Sequence, residues 1–312
     1  VCALAFTLVA VLLIGPIPTL LARASWPLRA PRAAMVLWQA IALAALLSAF
    51  SAGIAIAIRL FVPGPAARPA TTLAVGVGRF GWLALDVVVL ALTLLVGARL
   101  ATAVIRVAVA TRRRRAHHRM LVDLLGVVPD PVCACNRERD LRILEVAEPL
   151  AYCLPGVRSR VVVSEGTLDS LTETELAAIL RHERAHLRAR HDLVLEAFTA
   201  AHAAFPRFVR SGSALDAVQL LVELLADDAA VRAAGRTPLA RALVTCASGR
   251  TPLGALAAGG PSTVLRVRRL SGRGNSRLVA AAAYLAAVAV LAVPTVALAV
   301  PWLTELNRLF TG

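Results

Sequence analysis

The chain has no lysine, few aromatic residues and only five cysteines in 312 residues. The missing lysine makes every basic residue an arginine, a compositional bias without chemical meaning of its own. Aromatics are 4% of the chain while hydrophobic residues reach 58% and mean hydropathy is +0.72, so Ala, Val and Leu supply the apolarity. That excludes an ordinary soluble protein and favours helices in lipid over a sandwich or barrel. Cys133-Ala134-Cys135 lacks the two-residue spacer and second cysteine pair of a zinc ribbon. With Cys2, Cys153 and Cys246 scattered elsewhere, the odd set reads as free thiols in a reducing compartment. No internal repeat and no DNA- or RNA-binding motif is found, so the formal charge of +15 needs another explanation than direct nucleic-acid binding. Its densest runs are Arg112 to Arg115 with Arg119, and Arg266, Arg268, Arg269, Arg273 and Arg277. Each adjoins a long apolar stretch, which is where the positive-inside rule puts arginine.

Crossing a bilayer takes about 20 apolar residues. Four stretches qualify: Val1 to Ala22, Ala33 to Ile58, Gly81 to Ala98, and Leu278 to Leu303. For the first, a signal peptide is the alternative, because Ala22-Arg23-Ala24 resembles a cleavage site, but no basic n-region is seen. Between residues 111 and 277 lies the only segment of mixed charge and amphipathic pattern. The expected architecture is a mainly α, multi-pass membrane protein. Residues 1–110 hold three transmembrane helices, 111–277 a cytoplasmic domain framed by basic runs, and 278–312 a fourth helix and short tail. Four spans then leave both termini outside.

Within the domain, Arg160 to Ser164 (RVVVS) is β-branched and reads as a strand, with Ala151 to Leu154 as its partner. Thr172 and Glu175 form a capping box, and Leu176, Ile179, Leu180 and Leu187 continue from it at helical spacing. Further helices are expected from near Asp192 to Pro206 and from near Ser213 to Gly235.

His182-Glu183-Arg184-Ala185-His186 is an H-E-x-x-H sequence inside the capped helix. Residues four apart share a helix face, so both imidazoles can bind one metal ion. Glu183 beside them can hold a water, take its proton and pass it to a leaving amine. Further on, Glu223-Leu224-Leu225-Ala226-Asp227 offers a third ligand in Glu223. His, His and Glu is a set that suits one catalytic zinc per chain. Asp227, one turn on, can accept the free N–H of a ligating histidine and fix its tautomer.

The pairing of H-E-x-x-H with E-x-x-A-D resembles the gluzincin metallopeptidases, among them the BlaR/MecR-type membrane proteases. The likeness extends to the apolar helices, the Ala151-to-Gly156 stretch, and the RVVVS strand with Gly166 and Leu168. It implies a mainly α membrane protein of about four spans, with a gluzincin-like α+β zinc protease domain inserted between the third and fourth. It also implies a strand beside the metal helix that lines the substrate cleft, pointing to Ala151, Tyr152, Val162 and Val163. The implied partners are membrane lipid and a protein substrate, in the regulatory case a DNA-binding repressor. The β-lactam sensors of that group carry a penicillin-binding domain beyond the last span. None is seen here, so direct β-lactam sensing is not expected. HtpX-type quality control of membrane proteins is the alternative, and a non-catalytic signalling scaffold the second. Among other polar residues, His191-Asp192 reads as an end-of-helix cap, His117 and His118 as part of the basic run, and His202 as structural.

Overall fold

The computed structural model describes residues 8–9, 11–61, 73–128, 140–205, 212–247, 256–257, 262–272 and 275–311. Three helices here are long and apolar enough to cross a membrane: Pro31–Ser51, Val87–Leu125 and Arg277–Val296. Residues 1–7 and 10 of the first expected span fall outside the described residues. Its described part holds the shorter apolar helix Val11–Arg23, whose last turns are α1 (Pro16–Arg23).

Helix α2 (Pro31–Phe61) leaves the domain, and α3 (Leu73–Leu125) returns to it. They pack antiparallel. Gly97 lies against Phe50, and a Cβ at Gly53 would collide with Thr93, so only a glycine fits that crossing. Helix α10 (Arg277–Thr311) runs parallel to α2 along a seam of small residues: Ala30 and Ala33 against Ala283, then Ala40 and Ala44 with Ala287. Small side chains let membrane helices approach closely.

Helix α3 is 53 residues long, about 80 Å at 1.5 Å per residue. The helix is continuous past residue 110. Arginine is a good helix former and neither Gly nor Pro interrupts the stretch, so the helix runs through the basic segment to the sheet. On the way Arg115 pairs with Asp192 (3.2 Å) and Glu196 (2.7 Å), and the Arg99 guanidinium donates to the Ala204 carbonyl (3.1 Å).

The sheet has the order β1-β3-β2-β4, with β1 (Leu141–Leu144), β2 (Ala151–Leu154), β3 (Arg160–Ser164) and β4 (Leu256–Ala257). Strand β3 pairs parallel to β1 and antiparallel to β2, and β4 lies antiparallel on the far edge of β2. Side chains alternate between faces. Ala151, Val161 and Val163 therefore join the core under the metal-motif helix, while Tyr152, Leu154 and Val162 pack with Val122 of α3. After β3, Ser164 caps α4 (Glu165–Ser170), accepting from the Thr167 amide at 3.2 Å. A Cβ on Gly166 would strike the Ala147 carbonyl, so glycine is required there.

Helix α5 (Glu173–Arg188) begins at the expected capping box, with the Thr172 amide donating to Glu175 Oε2 at 3.0 Å. It is followed by α6 (His191–Ala204), α7 (Gly212–Ala234), α8 (Arg236–Cys246) and α9 (Thr263–Ser271). The core of the domain sits between α5, α8 and the sheet: Ile179, Leu180, Leu239, Leu243, Val161 and Val163 are all buried.

Candidate metal centre

Helical geometry brings the motif residues to one point. His182 and His186 lie one turn apart on α5, and α7 packs across it so that Glu223 meets both. His182 Nε2 and His186 Nε2 are 3.2 Å apart. Glu223 Oε2 is 3.3 Å from the first and Oε1 is 3.6 Å from the second. A tetrahedral zinc with ligand bonds of about 2.0–2.2 Å separates its ligand atoms by about 3.4 Å. The three distances match the edges of that tetrahedron, and the two-nitrogen, one-carboxylate donor set suits the ion.

Both imidazoles are held from behind. His182 Nδ1 is 3.0 Å from Asp227 Oδ1, and His186 Nδ1 is 3.1 Å from His191 Nδ1. Each Nε2 is thereby left for the shared point. His191 reaches His186 because Arg190 takes the left-handed conformation (φ 51°) between α5 and α6, folding the chain back within two residues. Left-handed backbone is rare for a residue with a Cβ, and such strain concentrates at functional sites.

Arg266, on α9, is the third element of the centre and is 1% exposed. Its Nε donates to Asp227 Oδ2 (2.8 Å) and its Nη2 to Asp227 Oδ1 (2.6 Å). Its Nη1 lies 2.9 Å from Glu223 Oε2, and Nη2 lies 3.4 Å from His182 Nε2. Two carboxylates this close to the interior need a cation, and the planar guanidinium fork fits Asp227 with two bonds.

These surroundings set the protonation of each group. Burial alone would lower the His182 pKa, but hydrogen bonds to Asp227 and Glu223 outweigh it and lift it to about 9. His186, where burial prevails, falls to about 3. Burial pushes Glu223 and Asp227 upward, yet their histidine and arginine partners prevail. Glu223 comes down to about 2, and Asp227 lies well below the usual carboxylate range. At Glu183 burial prevails: the side chain is fully buried and its pKa rises to about 8, although His182, the Cys153 thiol that can donate to it, and Arg266 pull it down. That pKa lets a carboxylate both take and release a proton near neutrality. The Cys153 thiol on β2 faces it and is itself pushed well up by burial and by the Glu183 charge.

His182, Glu183, His186, Glu223 and Asp227 thus converge, whereas the four cleft residues do not. Tyr152 and Val162 face α3, away from the centre, and the Tyr152 hydroxyl bonds His118 Nε2 at 3.0 Å. Ala151 and Val163 are core residues. Strand β3 is paired along both edges, so it cannot offer its backbone to an extended peptide, and β4 covers β2 at Tyr152 and Cys153. His191, read as a cap, contacts a proposed ligand instead, and Arg266, read as an interfacial positive charge, is buried in the centre. Cys153 and Cys246 are free and buried, while Cys2, Cys133 and Cys135 lie outside the described residues.

Residues 134–215 match the model of Peptidase family M48. The match spans the sheet up to β3 and helices α4 to α6 with the H-E-x-x-H sequence, and it ends before Glu223 and Asp227. No curated protein and no solved structure matches the chain. The match supports a peptidase, and with the His/His/Glu cluster it supports a zinc-dependent one.

Proposed function

We propose that the chain is a membrane-embedded zinc endopeptidase that cleaves proteins at the cytoplasmic membrane face. The observation that carries this is the tetrahedral spacing of His182, His186 and Glu223 beside a fully buried Glu183. In this reading those three residues are the ligands and Glu183 is the general base. Asp227 and His191 orient the ligand imidazoles, and Arg266 neutralises Asp227 and Glu223. Zinc, when bound, polarises the scissile carbonyl and acidifies water. Glu183 takes the proton of the attacking water and delivers it to the leaving nitrogen, which its raised pKa favours.

The regulatory reading names a cytoplasmic DNA-binding repressor as the substrate, by analogy with the BlaR/MecR resemblance. Its physical support is the tethering of the domain to α3 on one side and α10 on the other. Quality control of membrane proteins is the competing use of the same chemistry. Metal analysis and peptide hydrolysis of purified Glu183→Gln and Glu223→Ala test the roles. Glu183→Gln should keep zinc and lose hydrolysis, whereas Glu223→Ala should lose both. A Glu183→Gln protein that loses zinc as fully as Glu223→Ala removes the base assignment. Comparing the transcriptome and proteome of Glu183→Gln cells with wild type then separates the two substrates. A changed transcript set supports the repressor, and accumulating misfolded membrane proteins support quality control.

A further inference from the structure

A cavity of about 470 Å³ opens between α2, α5 and α7, on the far side of α5 from the sheet-packed core. Arg32, Arg181, Arg188 and Arg232 converge on it from all three helices, and no acidic side chain lines it. Arg181 and Arg188 are seven residues apart and so share one face of α5. All four are exposed, and none pairs with a carboxylate among the described residues. Four like charges gathered without a counter-ion repel one another, and an anion between them relieves that repulsion. Apart from His191 the rest of the lining is apolar, with Met35, Val36 and Leu225 prominent.

Its depth follows from the helices that frame it. The Ser276 amide donates to the Arg29 carbonyl (2.9 Å), so α2 and α10 start their apolar spans side by side. The first turns of α2 are covered by α7, with Met35 and Trp38 against Val218, Leu221 and Leu224. The cavity therefore lies beside the first turns of a helix long and apolar enough to cross a membrane, the level at which headgroups would meet acyl chains. We propose that it binds an anionic phospholipid, with the phosphate among the four guanidinium groups and the first acyl carbons on Met35, Val36 and Leu225. His191 forms part of its wall, so the seated headgroup lies one imidazole from His186.

The test is native mass spectrometry of the full chain in detergent, titrated with phosphatidylglycerol, phosphatidylcholine or inorganic phosphate. The variants are Arg32→Gln/Arg181→Gln/Arg188→Gln, the equal-charge control Arg112→Gln/Arg113→Gln/Arg114→Gln, and Ala229→Trp, which fills the cavity without changing charge. Phosphatidylglycerol should bind the wild type and the control alike, and both cavity variants at least about tenfold more weakly, the first for want of the guanidinium groups and the second for want of space. Equal loss in the control would make the attraction diffuse surface charge and overturn the site. Phosphatidylcholine binding as tightly as phosphatidylglycerol, or inorganic phosphate displacing the lipid at equal concentration, would overturn the lipid assignment. An acidic peptide that binds the wild type more tightly than the lipid does, and is lost in both cavity variants, would overturn it in favour of a protein ligand.

Discussion

Replacing Arg266 by Leu should destabilise the chain more than any other single change at the centre, and more than removing Arg266 and Asp227 together. The substitution deletes two short bonds to Asp227 and one contact to Glu223, all made by a guanidinium that is itself buried. Breaking one side of a buried pair typically costs about 3–5 kcal/mol, because the remaining charge is stranded. Against a stability of about 5–15 kcal/mol that is a large fraction. At about 2–4 °C per kcal/mol for a chain of this size, thermal unfolding should fall by about 6–20 °C. Asp227→Leu alone strands the guanidinium instead, although Glu223 still faces it. The double variant strands neither, and replacing both partners with apolar residues is often neutral. Thermal unfolding of the four detergent-solubilised, metal-free proteins, followed by near-ultraviolet circular dichroism, completes the cycle. If Arg266→Leu unfolds within about 2 °C of the wild type, or the double variant is less stable than the sum of the singles, Arg266 is not the counter-ion of the centre.

His191→Leu should weaken zinc binding about 10- to 100-fold, the usual effect of removing a group behind a ligating histidine. His191→Asn, whose amide oxygen can still accept from His186 Nδ1, should recover most of it. Equal affinity in the Leu and Asn variants would reduce His191 to packing. The metal-free chain should lose thermal stability as pH rises from about 6.5 to about 9. The folded pKa of His182 exceeds its unfolded value, so its contribution is complete below the unfolded pKa and vanishes through the folded one. Zinc takes the place of that proton, so the loaded chain should lose less stability over the window, only the part due to Glu183, and a metal-free chain that gains stability there contradicts the assignment. Iodoacetamide at neutral pH should leave Cys153 and Cys246 unlabelled until the chain unfolds, since burial holds the first thiol far above its usual range and the second at about 12. Peptide mapping that finds either thiol modified at the rate of a free cysteine would contradict their burial.

The elements whose signals are local were legible. The capping box sits at Thr172, β3 at RVVVS, and the H-E-x-x-H face is where helical spacing puts it. What the sequence concealed depends on partners distant along the chain. Arg266 sits in an arginine-rich helix and looks interfacial until Asp227 and Glu223 of α7 are brought to it. One signal was available, because Arg266 and Leu270 are four apart and form the buried face of α9, while Val264 and Leu265 point outward. The faces of β2 and β3 were undetermined for another reason. Alternation divides Ala151 and Cys153 from Tyr152, but which set meets α5 is fixed only by register and packing. His191 was hidden by one backbone angle, the left-handed turn at Arg190.

The three long apolar helices enter the domain through different parts of the centre. Helix α2 packs through Met35 and Trp38 on the helix that carries Glu223 and Asp227. Helix α3 grips α6 through Arg115 and Asp192, the residue next to His191. Helix α10 follows α9, where Arg269 ties Leu28 and Asp228 together three residues beyond Arg266. Glu223 with Asp227, the group behind His186, and Arg266 thus each hang from a separate long helix. Side chains in a packed centre do not deform continuously. A relative shift of any two spans must therefore alter the tetrahedral spacing or be absorbed at Arg190, the only non-glycine residue held in the left-handed region among those described. Each of the three long apolar helices is thus mechanically connected to a different part of the His/His/Glu cluster.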